Sequence, residues 1–325
     1  MKILLPGGTG HIGQLLRRAW LREGHEVVVL SRRPHPYGDG SRVVGWDGRS
    51  AGAWTREVEG CDMVVNLAGR SVSCRYTPEN LRAMTDSRVD SARVVGEAIA
   101  AARRPPRVWF QMSTATLYAH RFDAPNDEAS GALGGTEPGV PAYWAYSVEI
   151  ARAWEAAQRE AATPATRKVA LRAAMVMSTE RGGVFDVLSR LARAGLGGPV
   201  AGGRQYVSWI HGADFVRALD FLRAREDLTG PVNLSSPRPL PQRAFMRGLR
   251  SAWHVPFGLP ATRAMAELGA WALRSDTELL LKSRRVVPGR LTEAGFSFTH
   301  PEWADAAREL VARRRAAGRR GTGTG

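Results

Sequence analysis

Short apolar runs alternate with longer amphipathic segments along the first half of this chain. The runs predict β-strands at residues 2–6, 26–30, 42–46, 62–66, 107–112 and 167–173. The amphipathic segments, in which apolar residues recur every three or four positions, predict helices at residues 11–23, 78–102 and 142–162. Because strands that alternate with helices form βαβ units, we expect an α/β fold with a doubly wound parallel sheet.

The pattern changes beyond residue 175, where helices dominate and only short extended pieces such as Val232-Asn233-Leu234 remain. Helices are predicted there at residues 183–194, 212–226, 240–252, 261–273 and 303–316. We therefore predict a sheet domain over residues 1–175, to which a stretch at about 205–235 returns. The smaller, mostly helical C-terminal lobe takes residues 176–204 and 236–316. Residues 317–325 have too few apolar side chains to pack and are predicted to be a disordered tail.

A glycine-rich segment, Gly-Gly-Thr-Gly-His-Ile-Gly at residues 7–13, lies between the first predicted strand and the first predicted helix. Gly7, Gly10 and Gly13 are spaced three residues apart. Glycines at these positions permit a tight turn and let the backbone approach a pyrophosphate, while the following helix offers its N–H groups and the positive end of its dipole. The segment therefore predicts a dinucleotide-binding loop.

The residues after the second predicted strand indicate which dinucleotide binds. An NAD site has an acidic residue about 20 positions after the glycines, where it binds the ribose 2′-hydroxyl. This chain instead has Ser31, Arg32 and Arg33, a hydroxyl and two guanidinium groups. Because a guanidinium group matches the geometry of a phosphate, we predict NADP (NADPH) as the cofactor. The alternative is that these arginines are solvated loop residues.

Two further strand ends carry candidate cofactor and substrate contacts. Asn66-Leu67-Ala68-Gly69 ends the fourth predicted strand, and its small side chains allow the backbone to lie along a cofactor ribose. Ser113 and Thr114 end the fifth predicted strand, where their hydroxyl groups are placed to bond cofactor or substrate. The carboxyl ends of parallel strands line the ligand crevice of such sheets, so both segments are predicted to face it. Ordinary turn chemistry is the alternative for the hydroxyl cluster.

Composition narrows the class of protein. Among 325 residues, 44% are apolar and no run approaches the roughly 20 apolar residues of a membrane span. The N-terminus has no signal-peptide pattern, and only two cysteines are present, so we expect a cytoplasmic protein without disulfides or a metal site. The net charge of +15 comes from scattered arginines, which argues against nucleic acid as a partner. We expect a small-molecule substrate and a monomer or homodimer.

Six segments in one order resemble a known family. They are GGTGHIG at 7–13, DMVVNLAG at 62–69, RYTPENLRAMTDSRV at 75–89, STATLYA at 113–119, GLGGPVAGGRQYVSWIH at 195–211 and LKSRRVVPGRLTEAGFSF at 281–298. The chain resembles the atypical extended short-chain dehydrogenases/reductases, in the epimerase-family branch described as nucleoside-diphosphate-sugar epimerase-like. The resemblance implies a Rossmann domain, with the cofactor across the C-terminal strand ends and the C-terminal lobe over the substrate.

The resemblance also implies roles for individual residues. By position, the pyrophosphate contacts are Gly7, Gly10, Ile12 and Gly13, with His11 among them. Ser31 and Arg32 correspond to 2′-phosphate contacts, and Leu67, Ala68 and Gly69 line the cofactor, with Ser113 beside it. Thr114 takes the position of the family's catalytic serine or threonine.

One departure from the family concerns catalysis. The family uses a Tyr-x-x-x-Lys pair on the helix after the fifth strand, in which the lysine lowers the pKa of the tyrosine that exchanges a proton. Here Ser147 and Ala151 take those two positions, and no Tyr-x-x-x-Lys exists in the chain, whose lysines are Lys2, Lys168 and Lys282.

Other side chains are therefore candidates for the proton donor. They are Thr114, Tyr118, Tyr143, Tyr146 and His211, and for His211 a packed, hydrogen-bonded turn residue is the favoured alternative. We predict an NADP-dependent oxidoreductase acting on an organic small molecule. Two alternatives stay open, a lyase, isomerase or cyclase without redox turnover, and a non-catalytic NADP(H)-binding protein.

Overall fold

In the computed structural model, which describes residues 1–72, 74–265, 267 and 278–321, seven strands form one parallel sheet. Six of them are the predicted strands to within two residues: β1 Lys2–Pro6, β2 Glu26–Ser31, β3 Arg42–Gly45, β4 Met63–Asn66, β5 Val108–Thr114 and β6 Arg167–Ala173. The remaining strands are β7 Met175–Met177, β8 Tyr206–Val207, β9 Trp209–His211, β10 Gly230–Leu234 and β11 Leu240–Pro241. The spatial order of the main sheet is β10-β6-β5-β4-β1-β2-β3, which confirms the doubly wound parallel sheet.

Helices connect the strands on both faces of the sheet. They are α1 His11–Arg22, α2 Pro78–Ala101, α3 Ala145–Glu160, α4 Val184–Arg193, α5 Gly212–Ala224 and α6 Gln242–Trp253. A 3₁₀ turn, Ala142–Trp144, replaces the start of the predicted helix 142–162, and other 3₁₀ turns lie at Ala53–Glu57 and Ala115–Leu117. The start of α2 follows from its sequence, since Thr77 caps it by accepting from the Asn80 N–H and Pro78 occupies the first position.

The C-terminal part ends in a long helix. Short helices Glu278–Leu281 and Gly289–Glu293 precede the C-terminal helix Trp303–Gly321. That helix extends five residues beyond the predicted end at 316, so residues 317–321 of the predicted disordered tail are helical. Residues 322–325 lie outside the described residues, as does most of the predicted helix 261–273. No helix in the described part of the chain combines the length and apolar character needed to cross a membrane.

Two hydrophobic cores correspond to the sheet and to the helical lobe. The larger core contains the buried apolar runs of β1, β2 and β4. These runs are continuous and are not interrupted by alternating polar residues, because helices cover both faces of the sheet. The second core joins α4, α6 and the C-terminal helix. In it the ring of Trp303 stacks on that of Phe245, with centroids 3.9 Å apart. β10 pairs with β6, so the chain returns to the main sheet between the elements of the helical lobe.

Candidate active site

The glycine loop between β1 and α1 is constrained by its surroundings. Gly7 has φ of +73°, and a Cβ there would lie 2.6 Å from the Cα of Ala68. A Cβ at Gly13 would lie 2.2 Å from the Gly8 carbonyl oxygen. Gly10, in contrast, faces open space, and its position at the N-cap of α1 has no side-chain cap. The first N–H groups of α1 therefore point into a space that a phosphate can occupy.

A cavity of about 590 Å³ lies beside this loop at the carboxyl ends of β1, β2 and β4. Its volume falls within the range of small-molecule sites, and its position matches the ligand crevice of doubly wound sheets. Six of the residues predicted to contact the cofactor line it: Gly7, Ser31, Arg32, Leu67, Ala68 and Gly69.

The wall of this cavity after β2 is positively charged. The guanidinium groups of Arg32 and Arg33 are exposed and have no hydrogen-bond or ion-pair partner among the described residues. Arg49 and Arg70 line the same cavity, and Asp47 is the one acidic side chain that lines it among the described residues. Hydrogen bonds from Ser50 and Arg49 lower the pKa of Asp47 to about 2, so it is ionised. Four arginines against one carboxylate suit a polyanionic ligand.

The Ser31 hydroxyl has a local role in this structure. Its Oγ accepts from the Arg33 N–H at 3.1 Å and donates to the Arg33 carbonyl oxygen at 3.0 Å. The side chain is buried and shapes the loop that carries the two arginines. A direct bond from this hydroxyl to a 2′-phosphate requires it to release the Arg33 carbonyl.

The side chains of His11 and Ser113, two predicted cofactor contacts, form hydrogen bonds to other groups of the protein. The His11 ring turns away from the loop to Ser178, with Nε2 and Oγ 2.7 Å apart, and burial lowers its pKa. Ser113 is 3% exposed, and its Oγ donates to Glu155 at 2.6 Å. Successive strand residues point to opposite faces, so Ser113 faces the buried Glu155–Arg172 ion pair and Thr114 faces the other way.

The predicted catalytic candidates are dispersed. Thr114 is half-buried at the end of β5, and its Oγ1 accepts from the Thr116 N–H at 3.1 Å. Tyr143 lies half-buried in the 3₁₀ turn before α3, and Tyr146 is 42% exposed in the first turn of that helix. Tyr118 is buried and donates to Asn233.

His211, one of the predicted catalytic candidates, lies buried between α5 and the C-terminal helix. It is 1% exposed, its Nδ1 caps α5 by accepting from the Ala213 N–H, and its Nε2 lies 3.0 Å from a Glu309 carboxylate oxygen. Its ring also lies 3.9 Å from that of His300. Burial, followed by the nearby His300, lowers the pKa of His211 to about 4. Both ring nitrogens are engaged, so His211 holds the C-terminal helix against α5.

A buried ion pair that sequence reasoning missed lies beside the carboxyl end of β5. Glu278 and Lys282 are 1% and 2% exposed, and Lys282 Nζ lies 3.1 Å from Glu278 Oε1. Lys282 Nζ also donates to the Thr116 carbonyl oxygen at 2.9 Å. Ser147 Oγ donates to Glu278 Oε1 at 2.7 Å, and the Tyr76 hydroxyl donates to Oε2 at 3.3 Å. In the sequence, the four-residue spacing of Glu278 and Lys282 is the feature that could have predicted this pair, because side chains four residues apart meet on one face of a helix.

The electrostatics around this pair are dominated by cations. Burial lowers the pKa of Lys282, against the opposing effect of Glu278, and burial also lowers the pKa of Arg284. Arg284 donates to the Glu278 carbonyl oxygen and to Thr116 Oγ1. Arg88 is buried beneath Gly69, and its burial lowers its pKa to about 10. Such strongly perturbed groups beside a ligand crevice mark candidate sites of chemistry.

Comparisons with known proteins agree with this architecture. Residues 3–234 match the NAD dependent epimerase/dehydratase family, and residues 268–310 match a domain of unknown function, DUF1731. The epimerase family protein SDR39U1 of Bos taurus is 30% identical over 96% of this chain and 100% of its own length. The epimerase family protein YfhF of Bacillus subtilis (strain 168) is 26% identical over 97% of this chain and 99% of its own length.

Solved structures extend the similarity. Human epimerase family protein SDR39U1 (isoform 2), crystallised with NADPH, superposes with a TM-score of 0.82 and 27% identity, over 96% of this chain and 99% of that one. A UDP-N-acetylglucosamine 4-epimerase from Bacillus cereus has the same fold, with a TM-score of 0.73 and 16% identity over 97% and 96% of the two chains. The chain therefore belongs to the NAD-dependent epimerase/dehydratase family, as an atypical extended short-chain dehydrogenase/reductase, which confirms the resemblance found in the sequence.

Proposed function

We propose that this member of the NAD-dependent epimerase/dehydratase family binds NADP(H) and uses it as an oxidoreductase on an organic small molecule. The observation that carries the proposal is the pairing of the constrained glycine loop with the unpartnered guanidinium groups of Arg32 and Arg33. The human relative crystallised with NADPH supports the same cofactor.

The residues present fit this cofactor. The open side of Gly10 and the uncapped N-terminus of α1 would hold the pyrophosphate, because N–H groups and the helix dipole favour negative charge there. Arg32 and Arg33 would hold the 2′-phosphate, and the Leu67–Gly69 backbone would lie along the rest of the molecule.

The substrate would lie beyond the carboxyl end of β5, between the sheet domain and the helical lobe. Thr114 and Ser147 place hydroxyl groups on that side, and the C-terminal segment containing Glu278 closes it. The chemistry that a bound nicotinamide ring supplies is hydride transfer at its C4 carbon. The protein's part is to orient the substrate oxygen, exclude water and exchange one proton with that oxygen.

Two measurements test the proposal. Fluorescence titration should show binding of NADPH that is tighter than binding of NADH, and failure of both to bind would refute it. A panel of aldehydes, ketones and alcohols is then assayed for consumption or formation of NADPH. Conversion of a compound at the same rate by protein stripped of NADP(H) would instead establish the non-redox alternative, because the loss of the family's Tyr-Lys pair leaves that chemistry open.

A further inference from the structure

The carboxylate of Glu278 is the point at which three distant segments meet. One oxygen receives hydrogen bonds from Ser147 on α3 and Lys282, and the other receives the hydroxyl of Tyr76 from the loop before α2. A fully buried carboxylate is costly unless it is paired and hydrogen-bonded, and here both oxygens are. The two hydroxyl groups are thus held on one rigid acceptor, next to the end of β5.

Tyr76 differs from Ser147 in acidity and in its surroundings. A phenol has a pKa near 10 in water, whereas an aliphatic hydroxyl is a far weaker acid, so the phenol is the better proton donor. Tyr76 is half-buried, so a ligand can reach it. It interacts electrostatically with the guanidinium groups of Arg88 and Arg284.

Other titratable groups interact with the cations of this site. Glu137 and Glu278 interact with Lys282, and Cys74 interacts with Arg88. Arg88 on α2 and Arg284 interact electrostatically with Tyr76, whereas Lys282 pairs with its acceptor Glu278.

We propose that Tyr76 is the proton donor and acceptor of this active site, and that the buried Glu278–Lys282 pair positions its hydroxyl together with that of Ser147. The inference rests on the proposed function, and it assigns the proton donor that the missing Tyr-x-x-x-Lys pair would otherwise supply. Tyr76 and Ser147 are the groups that touch the substrate oxygen, whereas Glu278 and Lys282 act through them.

The proton step is balanced within this set of groups. In reduction of a carbonyl compound by a nicotinamide cofactor, the Tyr76 hydroxyl turns from Glu278 Oε2 to the substrate oxygen. Its O–H bond then breaks and the proton forms the new O–H bond of the alcohol, while hydride from the cofactor forms the new C–H bond. The bonding electrons stay on the phenolate oxygen, where Arg88 and Arg284 stabilise them, until solvent returns a proton. In oxidation the same atoms move in reverse. Ser147 donates a hydrogen bond to the substrate oxygen throughout and gives up its bond to Glu278 to do so.

A cofactor-dependent spectroscopic measurement tests the placement of Tyr76. The chain has six tyrosines, so ¹³C-tyrosine labelling gives six ring signals, and Y76F identifies the relevant one. We expect saturating NADP⁺ to shift the Tyr76 signal in the full-length protein. If fluorescence shows that NADP⁺ binds while the Tyr76 signal stays unchanged, Tyr76 lies outside the reaction site and the inference is overturned. Failure of the cofactor to bind refutes the proposed function instead.

The roles of the pair are tested on any carbonyl compound that the NADPH panel identifies. Y76F should lower kcat roughly 100-fold with little change in the KM for NADPH. Reduction needs the protonated phenol, so its rate falls as pH rises. E278Q should move this fall in rate to lower pH, because the remaining cations then favour the phenolate. K282M should move it to higher pH, and K282R should return it to the pH of the wild type.

A matched control separates a local effect from a general change in charge. Glu149 is exposed on α3, two residues from Ser147, and E149Q removes the same charge as E278Q without touching the pair. Thermal unfolding verifies that each variant is folded. Equal pH profiles for E278Q and E149Q, in folded proteins, would show that Glu278 has no positioning role.

Discussion

Replacement of both Arg32 and Arg33 by alanine tests the cofactor assignment most directly. The two guanidinium groups are exposed on the wall of the 590 Å³ cavity and have no partner in the described part of the chain. Their removal therefore breaks no ion pair in the free protein, and the Tm should change little. The only expected loss is the interaction with a ligand phosphate, which NADPH has on its ribose and NADH lacks.

The magnitude follows from charge and exposure. A unit charge about 4 Å from another contributes about 1 kcal/mol in water. A 2′-phosphate with nearly two negative charges and two guanidinium groups therefore gives roughly 4 kcal/mol before screening. Because both side chains are exposed, ions with a Debye length of about 8 Å reduce this by about half. The remaining value of about 2 kcal/mol corresponds to an approximately 30-fold increase in the Kd for NADPH.

The assay is a fluorescence titration of wild type and R32A/R33A with NADPH and with NADH. We expect the Kd for NADPH to rise about 30-fold and the Kd for NADH to stay within about twofold, with the preference for NADPH shrinking as salt is added. Arg22, an exposed residue at the end of α1, provides the control, and R22A should change neither Kd. Equal weakening of both cofactors, or none for NADPH, would refute the assignment of the 2′-phosphate site.

Three further predictions concern the loop, a buried ion pair and pH. G10A should leave the Tm within a few degrees but weaken NADPH binding at least tenfold, since its methyl group enters the open phosphate space, whereas G13A should destabilise the protein by about 1–3 kcal/mol in thermal unfolding. E155A should lower the free energy of unfolding, measured with denaturant, by about 3–5 kcal/mol because it leaves the buried Arg172 without its ion pair. A loss no larger than that of E97A, which removes the exposed Arg93–Glu97 pair, would contradict this. The lowered pKa of His211, about 4, means that the unfolded chain binds its proton more readily, so stability should fall by roughly 3 kcal/mol as pH drops from 6.5 to 4. Denaturant unfolding across this range should show the slope in wild type, and its persistence in H211N would exclude His211 as the cause.

The sheet and the cofactor side of the site were predictable from local sequence. Fully apolar runs such as those of β1 and β2 form strands because both faces of a parallel sheet are buried, and this pattern needs no knowledge of partners. The spacing of Gly7, Gly10 and Gly13 identifies the turn. At Gly7 and Gly13 only glycine tolerates the close contacts with Ala68 and Gly8, whereas Gly10 leaves open the space beside the start of α1.

The catalytic side was not predictable in the same way. Ser113 follows a strand, like the residues that line the cavity, yet the pleat turns its hydroxyl to Glu155. His211 belongs to a polar segment at a helix start, but packing against the C-terminal helix removes it from the ligand crevice. In both cases the residue type and its position along the chain were compatible with a ligand site. The direction of the side chain, which only the tertiary structure shows, instead brings it to a partner within the protein.

The sequence by itself determined the βαβ alternation, the phosphate-binding loop and the basic residues after β2, because each depends on neighbours within a few positions. The tertiary structure alone decided that Tyr76, Ser147 and the Glu278–Lys282 pair meet, since these residues are separated by up to 206 positions in the sequence. Their apposition depends on how the C-terminal segment packs over the end of β5, and the low exposure of the pair is what gives its charges a strong effect on the hydroxyl groups beside it.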